Sequence, residues 1–246
     1  MGNRLIVLVK GELQRLNKYN MTSVSVLVAI IWGVILFFVD SSILEYLLPL
    51  VLMMDATLMA IMYVGSVMFF EKSESTISSM LVTPVSNKEL LLSKLIANTL
   101  HNMFASALII TVFVIFKDVQ LNYLLIALAL IVSTASHTLL GIVMAYYQKD
   151  FSGMLVNIMI FMFALGVPSI LFSLGIINGN IWEFVLLFNP IQSAQTLIEG
   201  AFTEYGFVFD YKYYFSLAYL IIGGALLYKF IALPRFQDYA VKESGV

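Results

Sequence analysis

Three ionisable side chains lie within otherwise apolar stretches of this 246-residue sequence: Asp55, His101 and His137. A carboxylate inside hydrocarbon is costly, so Asp55 is expected to face other helices or water. It then either lines a route through the membrane or a subunit interface, or it is protonated or hydrogen-bonded to a neighbouring helix. The histidines either act as ligands or proton relays, or they donate to backbone carbonyls. Without a carboxylate or cysteine nearby they make a poor metal site.

The sequence lacks the motifs that would supply enzyme chemistry. It has no His-Glu-x-x-His helix, no Gly-x-Ser-x-Gly turn and no Gly-x-x-x-x-Gly-Lys-Ser/Thr phosphate loop. It also has no cysteine, which excludes thiolate chemistry and disulfides. Its 13 basic and 15 acidic residues give a net charge of −2, which argues against nucleic acid as a partner. We therefore expect no catalytic residue and no metal site.

Composition indicates that lipid surrounds most of the chain. Hydrophobic residues make up 61% of it and charged residues only 11%, whereas soluble domains carry about 25% charged residues. A membrane-spanning helix needs about 20 mostly apolar residues. We predict an all-α, polytopic membrane protein that forms one domain over residues 1–246, with no cleavable signal peptide. Six stretches are long enough to span: residues 23–39, 46–70, 95–116, 121–147, 154–177 and 213–232.

The distribution of basic residues predicts the orientation, because cytoplasmic segments retain Lys and Arg. Eleven basic residues fall on the side of the two termini and of the loops after the second and fourth spans. Only Lys117 and Lys212 fall on the other side. The prediction is that both termini are cytoplasmic.

Residues 1–20 form an amphipathic element in front of the first span. On a helical wheel Val7 and Glu12 do not match the pattern. We predict an interfacial helix along the cytoplasmic headgroups, and the alternative is a soluble amphipathic cap packed on a loop. The apolar side carries Leu5, Ile6, Leu8, Val9, Leu13 and Leu16, and the polar side carries Lys10, Gln14, Asn17 and Lys18.

The cytoplasmic loop of residues 71–94 is the most specific segment. Its first part has acidic residues at the start and an apolar edge formed by Ile77, Met80 and Leu81. Thr83-Pro84 ends this helix, because the residue before proline avoids helical geometry. Ser86 and Glu89 have the spacing of a capping box, which predicts the start of the next helix. The pattern predicts a short amphipathic helix presented to a soluble partner.

Two further patterns lie later in the chain. Residues 178–212 contain an apolar run too short to span and then Asn189-Pro190, which predicts an outward-facing re-entrant segment. The fourth span carries mostly small residues at intervals of four, which indicates close helix packing, with a substrate path as the alternative. These residues are Ala129, Ser133, His137, Gly141 and Ala145.

The loop resembles that of the membrane subunits of type-2 ATP-binding cassette exporters. Residues 76–94 match the family pattern almost in step, Glu74 is one position off, and Ser75 stands where the family has glycine. Asn189-Pro190 is similar to the outward Asn-Pro element before the family's last span. With the interfacial helix and six spans, the resemblance covers nearly the whole chain.

The resemblance implies a permease of the plasma membrane of a bacterium. Its loop would be the coupling helix that docks on a separate ATPase, present in two copies, and a second permease copy or close paralogue would complete the transporter. ATP and Mg would be bound by the ATPase, and no cofactor by this chain. The implied coupling residues are Glu74, Thr76, Ile77, Met80, Leu81, Thr83 and Pro84.

Two other functions remain open from the residues alone. An ion- or proton-coupled secondary transporter would use Asp55 and the histidines as a relay, although inverted repeats are not visible. A membrane scaffold or immunity protein would transport nothing. For the exporter, we expect a hydrophobic or amphipathic cargo such as a drug, peptide or lipid-like molecule, because residues 178–212 are too few to form a domain that recognises a hydrophilic polymer.

Overall fold

The computed structural model describes residues 2–39, 41–76, 83–116, 120–202 and 209–243. The described chain is helical and contains no strand, which confirms the predicted all-α fold. Two helices open it, α1 (Gly2–Lys18) and α2 (Met21–Phe38). They meet at an angle of 60°. Such a bend is the geometry expected where an interfacial helix enters a span.

The second span is one continuous helix with a wider turn at its middle. It consists of α3 (Ser41–Met54), a π turn (Asp55–Met59) and α4 (Ala60–Ser73). In its apolar window 72% of the residues are buried, against 17% for the window within Phe151–Ser173. The second span is therefore the central element of the bundle.

The remaining helices surround it. They are α5 (Asn87–Phe116), α6 (Tyr123–Ala145), α7 (Phe151–Phe161), α8 (Val167–Ser173), α9 (Asn180–Leu187), α10 (Pro190–Glu199), α11 (Tyr211–Leu227) and α12 (Leu233–Glu243). Two more π turns join α7 to α8 (Met162–Gly166) and α11 to α12 (Tyr228–Ala232). Five of the described helical units are long and apolar enough to cross a membrane, or six when bent α1–α2 counts as one. This confirms the predicted number of about six.

Two helices extend beyond their predicted limits, for different reasons. Helix α5 starts eight residues before the predicted 95–116 span, because the Ser86–Glu89 capping box starts a helix that runs without interruption into the membrane. The last helix continues past residue 232 through a π turn into α12. Phe236 and Tyr239 of α12 are buried, so this end packs back on the bundle.

The core is divided between the two halves of the bundle. One cluster joins the α3 half of the second span to α5, α6, α10 and α11 through Leu52, Phe113, Ile126, Ile191 and Leu220. A second cluster joins α4, α5, α6 and α12 through residues such as Met68, Leu91 and Phe236. The predicted small-residue stripe of the fourth span is buried in this packing.

Candidate functional site

The predicted coupling loop is described at its two ends. Ile77, Met80 and Leu81 lie outside the described residues, as do the other members of 77–82. Of the remaining predicted residues, Glu74, Thr83 and Pro84 are exposed and Thr76 is half-buried. The loop thus leaves α4 at Ser73 and rejoins the described chain at Thr83, four residues before α5.

Helix α1 contacts both ends of this loop. Glu74 accepts hydrogen bonds from Lys18 Nζ at 2.6 Å and from the Tyr19 hydroxyl at 2.9 Å. These bonds, with the one from Lys18 the stronger, hold the pKa of Glu74 below its usual range. At the other end Arg4 Nη1 donates to the carbonyl of Pro84 at 3.3 Å. Helix α1 therefore supports the loop directly, a connection that the sequence pattern did not predict.

Ser75 adopts the backbone geometry for which the family uses glycine. Its φ is +55°, in the left-handed region, directly after the end of α4. A side chain there is strained by about 1–2 kcal/mol, whereas glycine is not. The sequence departure at Ser75 therefore has a structural cost at the start of the loop.

We expect Ser75→Gly to stabilise the protein by about 1 kcal/mol, because glycine relieves the left-handed strain. The midpoint of thermal unfolding in detergent measures the effect. The matched control is Ser73→Gly, which lies two residues earlier in helical geometry and should lower the midpoint. A midpoint for Ser75→Gly at or below that of the parent protein would contradict this account of the turn.

The capping box at the start of α5 forms as predicted. The Ser86 backbone N–H donates to Glu89 Oε2 at 3.0 Å, and the Glu89 N–H donates to Ser86 Oγ at 3.2 Å. The two bonds satisfy N–H groups that a helix start leaves open. They fix where the chain turns from the loop into the third span.

A buried group of charges lies beneath the loop, and sequence reasoning missed it. We call Glu12, Arg15, Glu71 and Lys94 the ionic cluster. Lys94 Nζ donates to Glu12 Oε1 at 3.1 Å and to Glu71 Oε1 at 2.7 Å. Arg15 Nη1 lies 2.6 Å from Glu12 Oε1 and 3.3 Å from Glu71 Oε1. Glu12, Glu71 and Lys94 are buried, and only Arg15 reaches solvent.

The ionic cluster joins three segments that are distant in sequence. Glu12 lies on α1, Glu71 ends the second span, and Lys94 lies in the first turns of α5. Two acidic and two basic side chains balance in charge, so burial leaves no net charge unpaired. Glu12, the misfit on the helical wheel, was the available signal, because a charge on an apolar face needs a buried partner.

The three predicted intramembrane residues lie on different helices. Asp55 opens the π turn and accepts a hydrogen bond from Ser106 of α5. The ring of His101 meets that of Tyr63 edge-on, with 5.0 Å between centroids. His137 Nδ1 donates to the carbonyl of Ser133 at 2.8 Å, as expected for a histidine within a helix bundle. Among the described residues, no group of three or more metal-binding side chains comes together.

Gly141 is the position of closest helix approach in the small-residue stripe. A Cβ atom there would lie 2.6 Å from Val64 Cγ1 and 2.9 Å from Ile61 Cα. Only glycine allows α4 and α6 to pack at this distance. The observed contact is therefore helix packing.

The Asn-Pro element starts α10 and attaches it to the bundle. The Asn189 side-chain oxygen accepts from the N–H of Ile191 at 2.9 Å, and its amide donates to the Leu165 carbonyl at 2.7 Å. Pro190 occupies the first helical turn, where a missing N–H costs nothing. Helices α9 and α10 have 8 and 10 residues, too short to span. Their re-entrant placement from the outer side remains a prediction.

Comparison with known protein families adds one match. The family model described as "ABC-2 type transporter" matches residues 3–203, from the start of α1 to just past α10. No curated protein and no solved structure matches the chain.

Proposed function

Since this chain belongs to the ABC-2 type transporter family, and is thus a permease subunit of an ABC transporter, we propose that it exports a hydrophobic or amphipathic substrate. The substrate class comprises drugs, peptides and lipid-like molecules. ATP is hydrolysed on separate ATPase subunits, and the loop of residues 71–94 receives their movement. The observation that carries the proposal is the family match, which includes this loop.

The environment of the loop supports a role in force transmission. A segment that passes movement from a soluble partner to spans needs firm attachment at both ends. Here the ionic cluster holds Glu71 and Lys94, the first and last residues of the loop, and α1 contacts Glu74 and Pro84 within it. A displacement of the loop would therefore move the second and third spans together with α1.

The proposed assembly contains two ATPase subunits and two permease chains, the second being another copy or a close paralogue. ATP and Mg are bound by the ATPase subunits. Both termini and the loop lie in the cytoplasm of a bacterial cell, and residues 178–212 face outward. The eleven-to-two distribution of basic residues supports this orientation.

Apolar grooves between the spans support the proposed cargo class. One groove of about 450 Å³ lies between α2 and α5, and a second of about 360 Å³ lies between α5, α6 and α11. Their walls are almost wholly apolar, for example Phe37, Val112 and Phe116 in the first and Leu220 and Ile221 in the second. Both grooves lie open on the surface of the chain.

We expect replacement of Ile77, Met80 and Leu81 by glutamate to abolish co-purification of the ATPase. Charges on the apolar edge of a docking helix would have to be desolvated on binding. The measurement is the amount of ATPase retained on a tagged permease after membrane extraction.

The matched control changes exposed apolar residues on the opposite side. Ile181 and Phe184 of α9 are 80% and 64% exposed. Their replacement by glutamate should leave ATPase retention unchanged. If the loop variant retained as much ATPase as the control, the loop would not be part of the interface with the ATPase.

A further inference from the structure

Helix α5 carries a continuous row of buried polar residues that faces the middle of the bundle. Lys94, Asn98, Asn102 and Ser106, here called the polar stripe, follow each other at intervals of four and so lie on one helix face. All four are at most 3% exposed. The stripe runs about 18 Å from the ionic cluster to Asp55, at 1.5 Å per residue.

The bonds that the stripe makes fix the direction of its two amides. Asn98 Nδ2 donates to the Ala60 carbonyl at 3.0 Å and to Thr138 Oγ1 at 2.7 Å. Asn102 Nδ2 donates to the Asn98 carbonyl at 2.9 Å. Carbonyl oxygens only accept, so these nitrogens cannot be exchanged with the amide oxygens. Asn98 therefore faces both α4 and α6.

Several buried polar atoms on and beside the stripe have no hydrogen-bond partner among the described residues, including both ring nitrogens of His101, one of which is a donor in either neutral tautomer. Within the described chain, Oδ1 of Asn98 and Oδ1 of Asn102 have no hydrogen-bond partner. His137 Nδ1 carries the proton that the Ser133 carbonyl accepts, which leaves Nε2 of the neutral ring as a third unpaired acceptor. A buried unpaired acceptor costs about 1–3 kcal/mol. Water, which both donates and accepts hydrogen bonds, is the small molecule that suits these atoms.

A cavity at the lower end of the stripe has room for such a molecule. Its volume is about 10 Å³, which is the size that accepts one water molecule, about 10–15 Å³. Three polar side chains, Glu12, Lys94 and Asn98, line it together with apolar residues. A water there can donate to Asn98 Oδ1 and Glu12.

The two ends of the stripe differ in their access to solvent. At the lower end the Arg15 side chain of the ionic cluster is 25% exposed. Beyond Ser106, α5 continues with Ile109 and Phe113, which are 1% and 0% exposed in the apolar core. The stripe is therefore closest to solvent at the ionic cluster, and apolar packing closes it beyond Asp55.

We propose that the polar stripe is a narrow hydrated inlet, in which ordered water molecules enter at the ionic cluster and reach Asp55 from one side only. That side is the cytoplasm in the orientation of the proposed function, on which this assignment rests. The carboxylate of Asp55 is then solvated although it lies within the membrane.

Accessibility of single cysteines to Ag⁺ tests the inlet, because the natural sequence has no cysteine. Ser106→Cys is nearly isosteric and places a thiol beside Asp55. The matched control, Phe104→Cys, lies two residues away on the other side of α5, where Phe104 is 47% exposed on the surface of the chain. Each full-length variant is reconstituted in nitrate buffer, Ag⁺ is added to one side at a time, and the free thiol left is counted with maleimide.

We expect Ser106→Cys to react at least about tenfold faster than Phe104→Cys when Ag⁺ is added on the loop side, because only a hydrated thiol ionises. Asn102→Cys should react likewise, and adding Asn98→Leu to Ser106→Cys should slow its reaction. Equal or slower reaction of both inlet cysteines, or faster reaction from the opposite side, would overturn the inlet. The assay needs neither ATPase nor transport, so this failure would leave the exporter proposal intact.

Discussion

Lys94→Met should destabilise the protein by about 3–5 kcal/mol, because it removes one partner of a buried ion pair. The carboxylates of Glu12 and Glu71 both bond to Lys94 Nζ, and both are buried. Without the ammonium, they either repel each other inside the bundle or take up protons. Methionine keeps the helix propensity and most of the side-chain volume. The free energy of unfolding is measured by denaturant titration in detergent micelles.

An exposed ion pair between α1 and the end of α4 provides the control. Lys18 and Glu74 form a bond of 2.6 Å, but their side chains are 59% and 41% exposed. Lys18→Met should therefore leave stability nearly unchanged. A loss for Lys94→Met no larger than that for Lys18→Met would mean that the ionic cluster does not stabilise the fold.

A compensating variant separates charge from packing. Replacement of both Glu12 and Glu71 by glutamine in the Lys94→Met background removes the two carboxylates that lost Lys94 and keeps their shape. Most of the lost stability should return, because replacing all members of a buried ion group by uncharged residues often changes the free energy of unfolding little. Arg15 can stay charged because it reaches solvent.

Gly141→Ala should also be strongly destabilising, at about 1–3 kcal/mol for overpacking in a close-packed core. The added Cβ would lie 2.9 Å from Ile61 Cα and 3.0 Å from Ile61 O, which are backbone atoms that cannot rotate away. Helix α4 would have to move, and with it the start of the loop of residues 71–94. Thermal unfolding and ATPase co-purification report the two consequences.

Two other glycines provide a graded comparison. A Cβ at Gly65 would meet the flexible end of Met154 at 3.1 Å, and one at Gly223 would have nothing within 4 Å. We expect a smaller loss for Gly65→Ala, and for Gly223→Ala no loss or a gain, since alanine favours helices. A loss for Gly223→Ala as large as that for Gly141→Ala would argue against contact with α4 as the cause.

Local signals predicted the framework well. The apolar runs predicted the spanning helices, and Ser86 with Glu89 predicted the start of α5. These signals depend on neighbours within a few residues. The helix limits that were missed, such as the continuation into α12, depend on a π turn and on Phe236 packing against distant residues.

The ionic cluster could not be predicted because the bonds of Lys94 reach Glu12 and Glu71, which lie 82 and 23 positions away. Lys94 counted as a soluble loop charge, whereas it is buried within a helix. Glu12 was recognised as a misfit, but a helical wheel contains no information about its partner. The same limit applies to Asp55, because its partner Ser106 lies 51 positions away on the next span.

The charge balance of the ionic cluster has an evolutionary consequence. Loss of Lys94 alone leaves two buried carboxylates with only Arg15 to neutralise them, and loss of Glu12 or Glu71 alone leaves Lys94 with one carboxylate partner instead of two. A lineage can therefore change one of these positions only together with another. Positions 12, 71 and 94 should therefore covary among relatives, being either all charged or all neutral. Because position 12 lies on α1 and the other two on the spans, this covariation in an alignment would identify the face of α1 that contacts the spans.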